Sequence, residues 1–213
     1  MRPSPFVMRR FMAAVFLLPL AVISTFLLTR GWMQKTADSV FKALPVYQEI
    51  TDFTLTDQQG NSFGREALLG KVWIADFIFT RCAGPCPVMT NQMKRLQDGL
   101  RHPDLALVSF TVDPERDSPE VLANYAGRFA AGPSWHFLTG DKKTLHDLSM
   151  RHFYLGVADV PPEEREAPDQ SVTHSTKFAL VDRAARVRGY YDGMDPQSFK
   201  NLLRDARQLL KNG

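Results

Sequence analysis

The chain has two cysteines, Cys82 and Cys86, four residues apart. On a helix, residues at that spacing share one face, with Cβ atoms about 5–6 Å apart. Two thiolates so placed can hold one metal ion, or close into a disulfide after a small adjustment. A structural staple is the plainer reading. Yet a loop of about five residues would gain only ~2 kcal/mol from it in the chain-entropy model, less than a long loop would gain. Placing both thiols there points instead to redox or metal chemistry. A strand pattern precedes the pair and a helix pattern follows it, so the positive end of a helix dipole would favour thiolate over thiol.

A third partner has to come from the five histidines. His102 falls at a helix end, His136 in a short strand, and His146 and His152 on or near another helix; surface or capping roles suit these four. His174 lies in Val172-Thr173-His174-Ser175, directly before a late strand. If that late strand lies beside the strand that leads to the cysteines, its entry runs next to the cysteine segment, so His174 is either a ligand or a loop histidine. Two soft sulfurs and one imidazole suit Cu(I) and also accept Cu(II), whereas structural zinc would want a fourth ligand.

The elements that must position these groups follow from hydrophobic patterning. Asp52–Thr56 reads as a strand before the turn Asp57-Gln58-Gln59-Gly60. Val72–Phe79 and Leu105–Val112 are nearly continuous apolar runs of strand length, as expected for strands covered on both faces. Met89, Met93, Leu96 and Leu100 mark one face of the helix after Cys86. Ser118-Pro119 is a helix start with a capping serine, and that helix carries Val121, Leu122, Tyr125 and Phe129. Trp135–Leu138 suits a short strand, and Asp141 caps a helix to about Met150. Residues 157–172 read as a long acidic loop. Lys177–Asp182 and Arg186–Tyr191 form a hairpin, and a last helix after Pro196 turns Phe199, Leu202, Leu203, Ala206 and Leu210 inward. A βαβ start, a closing hairpin and a final helix, with the cysteines after the first core strand, is the order of an α/β thioredoxin-like fold.

The first thirty residues differ in kind. Phe11 to Thr29 are nineteen residues without a charge, spanning ~28 Å as a helix, against a hydrocarbon thickness of ~30 Å. No small-residue cleavage pattern follows. The expected organisation is a cytoplasmic tail over 1–10, a single transmembrane helix over 11–30, a tether over 31–49 and the thioredoxin-like domain over 50–213, with an N-terminal strand extension. That domain is expected on the outer, periplasmic face of the cytoplasmic membrane, where disulfide chemistry is at home. Four of the 26 basic residues and none of the 23 acids fall in residues 1–30. The rest is close to neutral, which excludes an electrostatic grip on nucleic acid.

Asp52-Phe53-Thr54-Leu55, Gly70-Lys71-Val72, Phe79-Thr80-Arg81-Cys82 through Cys86-Pro87, the segment from Thr111 to Glu120, and Thr173-His174-Ser175 together resemble the SCO/SenC proteins. The likeness covers about residues 50–212 and includes the anchor. It implies a membrane-tethered thioredoxin-like domain that binds copper through Cys82, Cys86 and His174. Its implied role is to deliver copper to the copper-bearing subunit of cytochrome c oxidase or another copper protein, or to reduce that protein's cysteines. Two features depart from the family pattern. Ala83-Gly84-Pro85 is neutral where the family often has an acid, and Gly84-Pro85-Cys86 is similar to the thioredoxin motif. Asp76, six residues before Cys82, occupies the offset at which thioredoxins keep a buried acid that moves protons during disulfide exchange. The alternative is therefore a thiol–disulfide reductase with Cys82 and Cys86 as its redox pair and Asp76 as proton acceptor. Asp76 could equally be an acid at a strand end, reaching solvent or a lysine.

Overall fold

The computed structural model describes residues 23–26, 29, 43–82, 84–160 and 172–212. Residues 23–26 and 29 are helical. Among the described residues no helix is long and apolar enough to cross a membrane, and most of the run Phe11–Thr29 lies outside them.

From Leu44 onward the chain forms one compact unit. Its central strands are the two apolar runs. β4 (Val72–Ile78) and β5 (Leu105–Thr111) are buried at every position and pair in parallel, Val72 opposite Leu105 through Ile78 opposite Thr111. β6 (Trp135–Thr139) continues the parallel order beyond β5. On the other side of β4 the hairpin of β9 (Lys177–Val181) and β10 (Arg186–Asp192) adds antiparallel strands. The eight-stranded sheet runs β1-β10-β9-β4-β5-β6-β2-β3. Its outer members are β1 (Gln48–Glu49), β2 (Thr54–Asp57) and β3 (Ser62–Gly64). The Arg188 side chain ties the start of the unit to β10, donating to the Leu44 and Pro45 carbonyls and to Asp182.

The helices fall where the caps and periodicity place them. α1 (Cys86–Leu100) buries Met89, Met93, Leu96 and Leu100. α2 (Pro119–Arg128) is capped by Ser118, whose hydroxyl accepts from the Val121 amide. Leu122 and Tyr125 point inward, but Val121 is exposed. α3 (Lys142–Asp147) starts at the Asp141 cap and widens into a π turn over Leu148–His152, so the helix to about Met150 is regular only in its first half. α4 (Pro196–Asn212) buries Phe199, Leu202, Ala206 and Leu210, with Leu203 partly covered. Residues 157–172 are not loop throughout. β7 (Val157–Asp159) and β8 (Val172–His174) pair as a two-stranded sheet at either end, and 161–171 lie outside the described residues.

Strand alternation sends Trp73 and Phe77 to one face of β4 and Asp76 to the other. On the first face Phe153 sits against Trp73, Phe77 and Phe110, with ring centroids 5.8, 5.4 and 5.5 Å away. Phe77 and Phe110 stack at 5.1 Å. This aromatic layer lies beneath β4, the strand that delivers the chain to the cysteines. Phe153→Ala is expected to cost about 3–5 kcal/mol, the usual range for truncating a buried aromatic. Denaturant unfolding measures this, and a loss below 1 kcal/mol would contradict the packing described.

Candidate metal centre

β4 ends beside the N-terminus of α1, and the β7–β8 hairpin leads back to the same place. Cys86 is the first residue of α1, Cys82 lies in the connection before it, and His174 is the last residue of β8. Both sulfurs are free thiols, Cys86 fully buried and Cys82 partly exposed. The ligand atoms of Cys82, Cys86 and His174 all lie within 4.8 Å of one another. Cys86 Sγ and His174 Nε2 are 3.0 Å apart. Among the described residues no other group of three histidines, cysteines or acids is arranged to hold a metal ion.

The histidine's tautomer follows from its other nitrogen. Nδ1 is 3.0 Å from the Ser175 carbonyl, which can only accept, so Nδ1 carries the proton. That leaves the Nε2 lone pair facing the sulfurs, the arrangement metal-binding histidines need. The edge of the Phe79 ring, 5.7 Å away, packs against the imidazole. Ser175 and Phe79 are additions that spacing alone does not assign.

The two thiols differ electrostatically. The Cys86 side chain beside Cys82, the His174 side chain and the amides of Cys86 and Gly84 favour the Cys82 thiolate and outweigh its partial burial, so Cys82 sits well below the usual thiol range. No side chain caps α1, and the Cys82 sulfur takes up part of that role. Cys86 is pushed far up, because its proton is shared with Cys82 and because it is buried. A metal ion bound between them would displace that proton. The Thr90 hydroxyl meets the Cys86 carbonyl at 2.9 Å and Tyr125 at 2.9 Å, bracing the first turn of α1.

Asp76 is completely buried, and neither carboxylate oxygen has a hydrogen-bond partner. It does not reach solvent or a lysine. Burial raises its pKa from 3.8 to about 7, and the Ser109 hydroxyl opposite it on β5 and the nearby His174 imidazole only partly oppose this. Ser109 in turn accepts from Trp135 Nε1 at 3.0 Å. The other histidines have separate duties. His102 Nδ1 accepts from the Asp104 amide, His136 packs on Phe63, and His152 meets the Thr51 hydroxyl. His146 Nε2 is buried without a partner.

Residues 42–211 match the family model of SCO1/SenC. The chain belongs to this family. The SCO1 protein homolog of Bacillus subtilis is 34% identical over 167 residues, covering 76% of this chain and 83% of that protein. Among solved structures, a SCO1/SenC family lipoprotein from Bacillus anthracis is 33% identical with a TM-score of 0.67, over 76% of this chain and 95% of that one. BsSco, described as a member of the Sco family of cytochrome c oxidase assembly proteins and the subject of a disulfide switch, is 32% identical with a TM-score of 0.66, over 79% and 97%. Yeast Sco1 with copper bound is 27% identical with a TM-score of 0.63, over 78% and 91%. The fold is the α/β thioredoxin-like fold of these proteins.

The raised Asp76 pKa has a sign for stability. A carboxyl protonated in the fold but ionised in the unfolded chain contributes stability below about pH 4 that is lost as pH rises through about 7. Asp76→Asn removes this loss. The stability gap between variant and parent is expected to shift by about 2–3 kcal/mol in the variant's favour from pH 5 to pH 8. Denaturant unfolding at both pH values measures it; a constant gap would mean that Asp76 is not held as described.

Proposed function

We propose that this chain is a membrane-anchored copper carrier. It binds copper through Cys82, Cys86 and His174, for assembly of the copper centre of cytochrome c oxidase or a related copper enzyme. The observation that carries this reading is the meeting of two sulfurs and one imidazole nitrogen within 4.8 Å. Such a set suits Cu(I), which accepts three ligands, and also holds Cu(II). The copper found in yeast Sco1 and the description of BsSco as belonging to a family of oxidase assembly proteins support it. Copper is cargo here, taken up and passed to a copper-bearing partner. The organisation expected from the sequence belongs to the same proposal: tail 1–10, transmembrane helix 11–30 and a tether from 31, with the boundary expected at 50 moved back because the compact unit begins at Leu44 and includes β1. The nineteen-residue apolar run supports the anchor, and the lipoprotein from Bacillus anthracis is a related domain whose name also implies attachment to a membrane. The domain then works on the outer face.

The reduced chain is expected to bind one Cu(I) in competition with a chelator. Cys82→Ser or Cys86→Ser abolishes binding. His174→Ala weakens Cu(II) far more than Cu(I), since two sulfurs hold Cu(I) nearly alone. A stoichiometry of zero with both thiols shown to be reduced would sink the proposal.

A second reading is favoured by the split between the thiols and by Asp76. As a thiol–disulfide reductase, the Cys82 thiolate attacks a partner disulfide and releases one partner thiol. Cys86 then attacks the mixed disulfide, closing Cys82–Cys86 and freeing the second thiol, with Asp76 accepting the Cys86 proton. Asp76→Asn is then expected to slow reduction of a test disulfide by about tenfold or more, while Cu(I) affinity stays within a few-fold. Unchanged exchange rates would remove the support that Asp76 gives this reading.

A further inference from the structure

Cys82 is the one member of the trio that no helix or strand holds. The connection that carries it is held from the side by Asp117, in the loop between β5 and α2. The Asp117 side chain is 1% exposed. Its carboxylate accepts from the Thr80 amide at 3.1 Å on one oxygen and from the Thr80 hydroxyl at 2.5 Å on the other. The Thr111 hydroxyl adds a third bond at 2.6 Å. Both donors of a single residue, two places before Cys82, are thus gripped by one carboxylate. The Cys82 amide turns back to the Phe79 carbonyl at 3.3 Å, so the turn bearing the sulfur is built around Thr80.

The loop that supplies the carboxylate is itself braced. The Asp113 amide donates to Thr111 Oγ1, and the Arg116 and Asp117 amides both return to the Asp113 carbonyl. Arg116 pairs with the Asp113 carboxylate at 2.9 Å. The three donors to Asp117 are uncharged. A buried carboxylate is costly unless its hydrogen bonds offset the lost hydration, and neutral side chains would suffice to hold an ordinary loop in place.

We propose that Asp117 is a positioning residue for the copper site: its two-point hold on Thr80 sets where the Cys82 sulfur stands relative to Cys86 and His174. This rests on the copper-binding reading above. Sulfur placement matters because a three-ligand site has no spare donor to make up for one that is displaced.

The test compares the full chain with Asp117→Asn, Thr80→Val, Thr80→Ser and Asp205→Asn. Asp205 in α4 is also a buried carboxylate, bonded to Tyr191, and controls for simple loss of stability. Asp117→Asn and Thr80→Val are expected to weaken Cu(II) binding by about tenfold, in the range for residues that orient metal ligands. They also shift the sulfur-to-copper charge-transfer absorption. Thr80→Ser keeps both donors and restores the parent values. Asp205→Asn lowers the melting temperature and leaves the absorption in place. Without copper, iodoacetamide alkylation of Cys82 in the reduced chain becomes several-fold faster in Asp117→Asn and Thr80→Val alone. If those two variants lose melting temperature while affinity, absorption and alkylation stay at parent values, the positioning role is overturned. If the parent binds no copper, the copper reading fails, and an unchanged alkylation rate then overturns the role of Asp117 independently.

Discussion

The site depends on one long-range contact, Cys86 Sγ to His174 Nε2 at 3.0 Å, between residues 88 positions apart. It exists because β4 and β9 pair directly, which brings the end of one strand and the entry to the other to the same edge of the sheet. The helix α1 then sets its unpaired amides against the sulfurs, and the Ser175 carbonyl turns the imidazole the right way round. Each of these local devices is ordinary. Together they place two sulfurs and an imidazole nitrogen where a soft ion would meet all of them at once.

Beneath that contact the fold tolerates something expensive. Asp76 has no hydrogen-bond partner in a strand buried on both faces, and a hydrophobic residue of its size would be expected to be more stable there at neutral pH. Its carboxyl can hold a proton at pH values where ordinary aspartates have lost theirs. Copper capture has no need of such a group, since the metal itself drives the thiols to ionise. Disulfide exchange does, because a proton must leave Cys86 before it can attack. The metal trio therefore carries the proposed copper reading, and the buried acid beneath it carries the proposed reductase reading.

Much of this architecture is legible in the sequence because burial leaves a period. The runs at Val72 and Leu105, the α1 stripe from Met89 to Leu100, and the caps at Ser118 and Asp141 all follow from local patterning. Elements of two or three residues leave no such trace. β1, β3, β7 and β8 are too short to show alternation, which is why 157–172 reads as loop although both its ends are strand. Val121 shows the limit of periodicity itself, an apolar residue of the α2 pattern left in solvent. In the site, Cys82 and Cys86 are visible from spacing, and His174 from its place in the strand order. The uses of Ser175, Phe79 and Asp117 are not, because each acts across a contact between segments distant in the chain or through a backbone atom that every residue type possesses.

X-ray absorption at the copper edge of the Cu(I)-loaded chain tests the central claim most directly, since it reports the atoms around the ion whatever the partner protein is. The account predicts copper surrounded by two sulfurs and one imidazole nitrogen, with the nitrogen lost in His174→Ala. Copper bound by nitrogen and oxygen alone, or an unchanged nitrogen in that variant, would contradict it.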